Sequence, residues 1–154
     1  MIPDRVVEVI HGPAFMHVGT RDPELRPAHA FAVGAIVSED RQAVTFFVAK
    51  SVSGRILRDL RDNGRVAFTV GLISHEAYQL KGTYASSRPA DEQELAFQET
   101  HLTKLLAAAR QVFPEEFATS LVRSIPYRPS VAITFRVEEV FLQTPGPGAG
   151  SKMA

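Results

Sequence analysis

The chain has 154 residues, of which 45% are hydrophobic and 22% are charged, with 17 basic and 17 acidic side chains. This length fits one domain with a full core, and the formal net charge of zero gives no electrostatic footprint for nucleic acid. Cysteine is absent, which excludes disulfides, zinc ribbons and thiol nucleophiles. The N-terminal segment is too polar for a signal peptide and no apolar run is long enough for a membrane span, so we expect a cytoplasmic protein.

Hydrophobic periodicity predicts a short helix and two strands at the start of the chain. The helix covers residues 4–10, the first strand residues 14–19, and a second, long strand residues 27–38. One face of that second strand is nearly bare and consists of Ala28, Ala30, Ala32 and Gly34. Small residues of this kind allow a flat ligand to approach the backbone, or they pack under a bulky neighbouring strand.

The stretch from residue 43 to residue 70 organises the rest of the chain. An apolar strand ends in the turn Lys50-Ser51-Val52-Ser53-Gly54-Arg55, and a short amphipathic helix follows, with a predicted left-handed C-cap at Gly64 and a return strand over residues 65–70. A helix start prefers acidic residues, yet this one carries Lys50 and Arg55. The pattern therefore predicts an anion site, most simply for a phosphate. The alternative is that Ser51 or Ser53 is a plain N-cap and that Arg55 pairs with Asp59.

The residue pattern in the second half of the chain predicts two strands and two helices. A fifth strand covers residues 78–86, and a long helix starts at a capping box formed by Asp91 and Glu94 and continues to about residue 112. A short helix covers residues 115–123. The last strand, residues 130–142, changes its apolar phase near its end, which predicts a β-bulge at Glu138-Glu139.

These elements predict an α+β fold for the chain. Six strands joined mostly by short turns favour a six-stranded antiparallel barrel with flanking helices, and a doubly wound parallel sheet would need more helices. We expect residues 1–154 to form a single domain, with a disordered, Gly- and Pro-rich tail from about residue 146.

The five histidines do not follow a metal-ligand spacing, and we predict no metal site. His17 and His29 lie in neighbouring predicted strands and are candidates to meet in space. Nucleophile elbows, Walker loops and Rossmann glycine patterns are absent, so the sequence does not indicate a hydrolase or a nucleotide-binding α/β protein.

Three features together suit a ligand with a phosphate tail and a flat ring. They are the anion site, the bare face of the second strand, and the polar pair Gln79 and Lys81 in the fifth strand. At these residues the chain resembles the FMN-binding split-barrel family related to pyridoxamine 5′-phosphate oxidase. The resemblance covers about residues 14–147 and rests on Pro27, FFVAKSVSGRILRDLRDNGRVAF, YQLKGTYA and VAITFRVEEVFLQTPGPG. It implies an FMN-binding split barrel that forms a homodimer.

The resemblance also implies which residues bind the cofactor. The family's phosphate-gripping Ser-Arg-Lys triplet corresponds to Ser53-Gly54-Arg55, which lacks the central arginine, so that Lys50 or Arg26 is needed to replace its charge. Its second strand and the end of its third lie against the isoalloxazine, and its fifth strand gives polar contacts. The residues predicted to bind the cofactor are Ala30, Phe31, Ala32, Val33, Val48, Ala49, Lys50, Ser51, Ser53, Arg55, Gln79 and Lys81.

The end of the chain departs from the pyridoxamine phosphate oxidases, because their Arg-Leu-x-Pro pattern is replaced by Phe141-Leu142-Gln143-Thr144-Pro145. We therefore expect an FMN-dependent oxidoreductase acting on another small-molecule redox substrate, with no catalytic acid or base assigned. One alternative is a deazaflavin-dependent reductase. The other is a non-catalytic flavin, haem or tetrapyrrole binding protein, with His17, His29 or His75 as the haem ligand.

Overall fold

The computed structural model describes residues 1–154 as four helices and seven strands. In chain order they are α1 (Asp4–His11), β1 (Phe15–Arg21), β2 (Pro27–Ala32), β3 (Ala35–Val37), β4 (Ala43–Ala49), α2 (Lys50–Asn63), β5 (Arg65–Gly71), β6 (Ala77–Pro89), α3 (Glu92–Arg110), α4 (Glu115–Arg123) and β7 (Ser130–Leu142). None of the helices combines the length and the apolar character that a membrane crossing needs.

All strand pairs are antiparallel, and the sheet has the order β2-β1-β5-β6-β7-β4-β3. The predicted α+β class with an antiparallel barrel is confirmed. The two edge strands, β2 and β3, are consecutive in the chain, and the Val33 N–H donates to the Phe47 carbonyl of β4 at 2.8 Å. This bond joins the end of β2 to the opposite side of the sheet and closes the barrel.

The strand count differs from the six predicted, because the long second strand breaks at Gly34. Gly34 has a φ of 81°, a conformation that a strand does not use and that side chains other than glycine rarely adopt. A Cβ at this position would lie 2.8 Å from a ring atom of Phe97 on α3. The break therefore lets α3 approach the barrel closely, and β3 starts afresh at Ala35.

The barrel interior is filled mainly by aromatic and branched side chains. Phe46, Phe68 and Phe135 pack with ring centroids 5.0–6.0 Å apart, and α1 and α2 add apolar side chains to the same cluster. The bare face of β2 lies in this core, with Ala28, Ala30 and Ala32 buried. Of the two readings of that face, packing against the protein's own core is the one that the structure shows.

The helix ends confirm two local predictions and correct a third. Asp91 and Glu94 form the predicted capping box of α3, and Gly64 ends α2 in the left-handed conformation with a φ of 69°. Residues 50–55, however, are the first turns of α2 rather than a turn before it. Burial of Ile56 and Leu60 against the barrel outweighs the cost of glycine within a helix, about 1 kcal/mol.

The last strand carries the predicted bulge. Lys81 pairs with Glu139 and Gly82 with Val137, so that Glu138 is the extra residue on β7. The tail differs from the expected disorder, because the Met153 N–H donates to the Val140 carbonyl at 2.7 Å and the Leu142 N–H to the Ser151 carbonyl at 3.0 Å. Since β4 pairs with residues 130–136 of β7, the tail covers the edge that β4 leaves free.

Candidate cofactor site

The N-terminus of α2 has no side-chain cap. Its N-cap residue is Ala49, and its first turn contains no acidic residue. The Lys50 N–H donates to the Pro129 carbonyl at 2.8 Å. The N–H groups that follow it in this turn have no side-chain cap and present their partial positive charge, as an anion site requires. The alternative of a serine N-cap is excluded, because both Ser51 and Ser53 lie inside the helix.

The two serines differ in their availability to a ligand. Ser53 is buried, and its hydroxyl donates to the Lys50 carbonyl at 3.1 Å. Ser53 therefore does not suit the predicted role of phosphate ligand. Ser51 is exposed and, four residues before Arg55, lies on the same side of the helix as that arginine.

Arg55 lies in a pocket of about 460 Å³ beside the β1–β2 hairpin, which we call the hairpin pocket. Its lining consists of Asp22, Pro23, Glu24, Arg26, Arg55 and Arg58. The Arg55 guanidinium is 3.8 Å from the Asp22 carboxylate and 3.5 Å from the Arg26 carbonyl. Three guanidinium groups line the pocket with two carboxylates, and Arg58 also lies 3.4 Å from the buried Asp59 carboxylate. The convergence of three guanidinium groups, rather than a net charge, is what suits a phosphate.

The acidic partner of Arg55 is Asp22 and not Asp59, the partner considered from the sequence. Asp59 is buried and accepts a hydrogen bond from the Thr20 hydroxyl at 2.9 Å. Burial raises the pKa of Asp22, but the Arg26 backbone N–H and the charges of Arg26 and Arg55 outweigh this effect and hold the pKa below its usual value. Asp22 therefore stays ionised and fixes both arginines at the mouth of the pocket.

The other predicted cation, Lys50, lies on a different side of α2. It lines a smaller pocket of about 290 Å³, the lysine pocket, together with Arg61, Arg88, Ser87 and Ser130. The Arg88 guanidinium is held by the Glu94 carboxylate in two bonds of 2.6 and 2.7 Å. The structure thus divides the predicted phosphate cations between two pockets, and Arg26 and Arg58 join Arg55 in the larger one.

The residues predicted to lie against a flat ring are mostly buried. Ala30, Ala32, Val33, Val48 and Ala49 have almost no exposed side-chain surface. The exception is Phe31, whose ring is exposed on the outer face of the sheet. The backbone of β2 remains available to a flat ring next to α2, because β2 is an edge strand that pairs on one side only, with β1.

Gln79 and Lys81 do not join this group within one chain. They alternate with Leu80, which points into the core cluster that contains Ile56 and Leu60 of α2. Their side chains therefore point to the outer face of the sheet, where the Lys81 ammonium lies 4.6 Å from the centroid of the Phe141 ring. In a single chain they face away from the start of α2.

The outer face contains a groove of about 590 Å³ that the sequence reading missed. Its floor is formed by Gly19 and Ala67, which are directly paired between β1 and β5. His29 pairs with Gly19, and Lys81 with Ala67, so these two side chains stand on either side of the floor. Two small residues at matching positions of paired strands are the sequence signal for such a groove, but the pairing is known only from the fold.

His17 and His29 meet on this face, as the sequence reading considered. Nδ1 of His17 lies 2.8 Å from Nε2 of His29, and Phe31 packs beside both rings. Burial and the neighbouring His29 lower the pKa of His17. His75 lies apart from them, in the turn between β5 and β6. No group of three or more His, Cys, Asp or Glu side chains is arranged to hold a metal ion.

Comparison with known proteins identifies the fold but no sequence family. No protein-family model matches the chain, and no curated protein matches its sequence. Among solved structures, HupZ of Group A Streptococcus is similar over 97% of this chain and 100% of its own, with a TM-score of 0.58 and 16% identity.

Two further structures have the same fold. A candidate pyridoxamine 5′-phosphate oxidase of Lactobacillus delbrueckii is similar over 91% of this chain and 93% of its own, with a TM-score of 0.55 and 13% identity. An F420 reductase is similar over 90% of this chain and 98% of its own, with a TM-score of 0.56 and 14% identity. The chain therefore has the fold of the pyridoxamine 5′-phosphate oxidase-related, FMN-binding split-barrel proteins.

Proposed function

We propose that the protein is an FMN-binding oxidoreductase of the pyridoxamine 5′-phosphate oxidase-like type, acting on a small-molecule substrate that is not pyridoxamine phosphate. The observation that carries the proposal is the hairpin pocket, in which Arg55 and Arg58 of α2 and Arg26 of the β1–β2 hairpin lie together, on the helix whose start is uncapped and beside the edge strand β2. A phosphate tail and a flat ring need these two features side by side. The split-barrel fold supports the same reading.

The residues present fit the phosphate end of FMN. Arg26 and Arg55 both lie beside the Asp22 carboxylate, at 3.1 and 3.8 Å, and the exposed Ser51 and the N–H groups after Lys50 have no side-chain cap. Charge-assisted bonds from guanidinium groups and helix N–H groups are the usual partners of a phosphate. Arg58, at the rim of the pocket, adds a third positive charge.

The chemistry of the reaction belongs to the cofactor, since a bound flavin supplies hydride and electron transfer. The chain's own part is to bind and orient it. The backbone of β2 provides a flat surface next to the phosphate pocket, and Gln79 and Lys81 reach the cofactor from a second copy of the chain, because they face away from α2 in their own. A homodimer is therefore part of the proposal.

A deazaflavin is a second candidate cofactor. The hairpin pocket recognises a phosphate, which FMN and a deazaflavin cofactor share, and an F420 reductase has the same fold. A further alternative is a carrier that binds flavin without turnover. We do not favour haem, because His17 and His29 lie on the outer face of the sheet, away from the phosphate pocket.

The test begins with the absorption spectrum of the purified protein and mass spectrometry of the molecule released on denaturation. The flavin-free protein is then titrated with FMN and, separately, with a deazaflavin. We expect FMN to bind, to be reduced anaerobically by a nicotinamide cofactor, and to be reoxidised by air or an added acceptor. Preferential binding of the deazaflavin would select the second cofactor. Flavin that is reduced by dithionite alone would make the protein a carrier, and failure of both cofactors to bind would overturn the proposal.

A further inference from the structure

His17 and His29 form a hydrogen-bonded pair of imidazoles on the outer face of the sheet. The register of β1 and β2 places His17 opposite Phe31 and His29 opposite Gly19, so that the two histidines are diagonal neighbours on one face. Their centroids are 5.1 Å apart, and the Phe31 ring lies 4.6 Å from His17 and 5.5 Å from His29. Phe31 therefore packs beside both rings at the point where their nitrogens meet.

We propose that this pair binds a late first-row transition-metal ion, with Nδ1 of His17 and Nε2 of His29 as the two protein ligands. Imidazole nitrogens lie about 2.0–2.1 Å from such a metal, so two of them at a right angle around it are about 2.9 Å apart. The observed separation of 2.8 Å matches this arrangement. The pair thus fits two adjacent positions of a square-planar or octahedral ion, once each ring turns by roughly 45° so that its lone pair leaves the line between the nitrogens and points at the metal.

The protonation states are compatible with this role. A hydrogen bond between two imidazoles needs one lone pair and one N–H, so in the metal-free protein one proton occupies the space between the rings. Metal binding requires that proton to move to the far nitrogen of its own ring, a change of tautomer in a neutral imidazole.

The surroundings determine which metal the pair selects. The strand positions next to the pair on this face are occupied by Gly19, Phe31 and Thr69, which bring no carboxylate. Two neutral nitrogen donors suit Cu²⁺, Ni²⁺ and Zn²⁺, whereas Mg²⁺ and Ca²⁺ need oxygen ligands. Gly19, next to His29, leaves space above the sheet, so water or a small ligand completes the coordination shell.

The test is calorimetric titration of the tag-free protein with Cu²⁺, Ni²⁺ and Mg²⁺ salts, with and without bound flavin. We expect one Cu²⁺ or Ni²⁺ per chain and no Mg²⁺ binding. His17→Ala and His29→Ala should each weaken binding at least about tenfold. His75→Asn is the matched control, because His75 is exposed in a turn at a φ of 70° that asparagine tolerates, and this variant should bind as the parent does.

Nitrogen superhyperfine structure in the electron paramagnetic resonance spectrum of the Cu²⁺ complex should show two imidazoles in the parent and one in each variant. Thermal unfolding of the metal-free variants checks that they fold. Absence of Cu²⁺ and Ni²⁺ binding to the parent, or unchanged affinity in both His17→Ala and His29→Ala, would overturn the proposal. Titration of the flavin-free protein separates these outcomes from flavin binding, because the His pair is separate from the hairpin pocket of its own chain.

Discussion

At the scale of single residues, charge and burial decide which side chains are available to a ligand. Arg55 and Ser53 are two residues apart on α2, yet the arginine reaches the hairpin pocket while the serine hydroxyl is used by the Lys50 carbonyl. A helix turns by 100° per residue, so neighbouring polar residues face different surroundings. The proposed cofactor site therefore depends on Arg55 more than on the serine beside it.

Replacement of Arg55 by alanine should weaken FMN binding. A charge-assisted hydrogen bond contributes roughly 1.5–3 kcal/mol, so we expect a rise in dissociation constant of about tenfold or more. The measurement is a fluorescence titration of flavin-free protein. Arg61→Ala is the matched control, because Arg61 is exposed on the same helix but lines the lysine pocket. A larger effect for Arg61→Ala would place the phosphate in that pocket instead.

His101 should make the protein less stable in mild acid. Burial lowers the pKa of His101 to about 4, and its Nε2–H donates to the Ala14 carbonyl at 3.0 Å. As the pH falls below 6.5, the ordinary pKa of histidine, His101 is protonated in the unfolded chain but stays neutral in the folded protein. The stabilisation is therefore present above about pH 6.5 and is lost progressively down to about pH 4.

Urea unfolding at neutral pH and near pH 5 measures this effect. The parent should lose on the order of 2 kcal/mol over that interval through His101, in addition to any contribution from other groups. His101→Gln retains an N–H donor for the Ala14 carbonyl but does not titrate. Its free energy of unfolding should therefore fall less than that of the parent over this pH interval, by the contribution of His101. Equal losses in the two proteins would show that His101 is protonated in the folded state.

At the scale of elements, the helix α3 shows how local sequence sets a boundary. The Asp91 side chain accepts from the Glu94 N–H at 2.8 Å, and the Glu94 side chain accepts from the Asp91 N–H at 3.0 Å. Glu94 also binds Arg88, and this ion pair lowers the pKa of the Glu94 carboxyl. The cap therefore connects the end of β6 to the start of α3, next to the lysine pocket.

Removal of this cap should destabilise the protein. Asp91→Ala should reduce the free energy of unfolding by about 1 kcal/mol, the usual cost of replacing a capping aspartate. Glu92→Ala is the control, since Glu92 is exposed in the same first turn and takes no part in the capping box. The measurement is urea denaturation followed by circular dichroism. Equal stability of the two variants would mean that α3 starts independently of its cap.

At the scale of the whole molecule, the outer face of the sheet is the surface through which we expect two chains to pair. Its groove has a floor of small residues, and Gln79 and Lys81 project from the same face, opposite to α2. If Gln79 and Lys81 contact a cofactor, it is the cofactor whose phosphate is bound by the other chain. A closed twofold dimer satisfies this requirement for both copies at once.

We expect sedimentation equilibrium to show a dimer at micromolar concentration. Ala67→Arg, which fills the floor of the groove, should shift the protein toward monomer and weaken flavin binding. Ala107→Arg, on the exposed side of α3, is the control and should leave both unchanged. A parent protein that binds flavin as a monomer would contradict the dimer and leave Gln79 and Lys81 without a role at the cofactor.

The sequence by itself determined the features that depend on near neighbours. The capping box of α3, the C-cap at Gly64, the bounds of α4 and the bulge at Glu138 were all predicted, because each depends on a few consecutive residues. The α+β class followed from the alternation of apolar residues and the short turns. The resemblance of the strand-turn-helix stretch to a flavin-binding family led to the fold that the solved structures share.

Tertiary structure decided what depends on residues distant in the chain. The break at Gly34 comes from the close approach of Phe97, 63 positions later, and the burial of the alanine face comes from the core that α2 completes. The division of cations between two pockets depends on where the β1–β2 hairpin and the end of β6 meet α2. A periodic pattern shows which face of an element is apolar, but the free energy of long-range packing selects the partner that covers it.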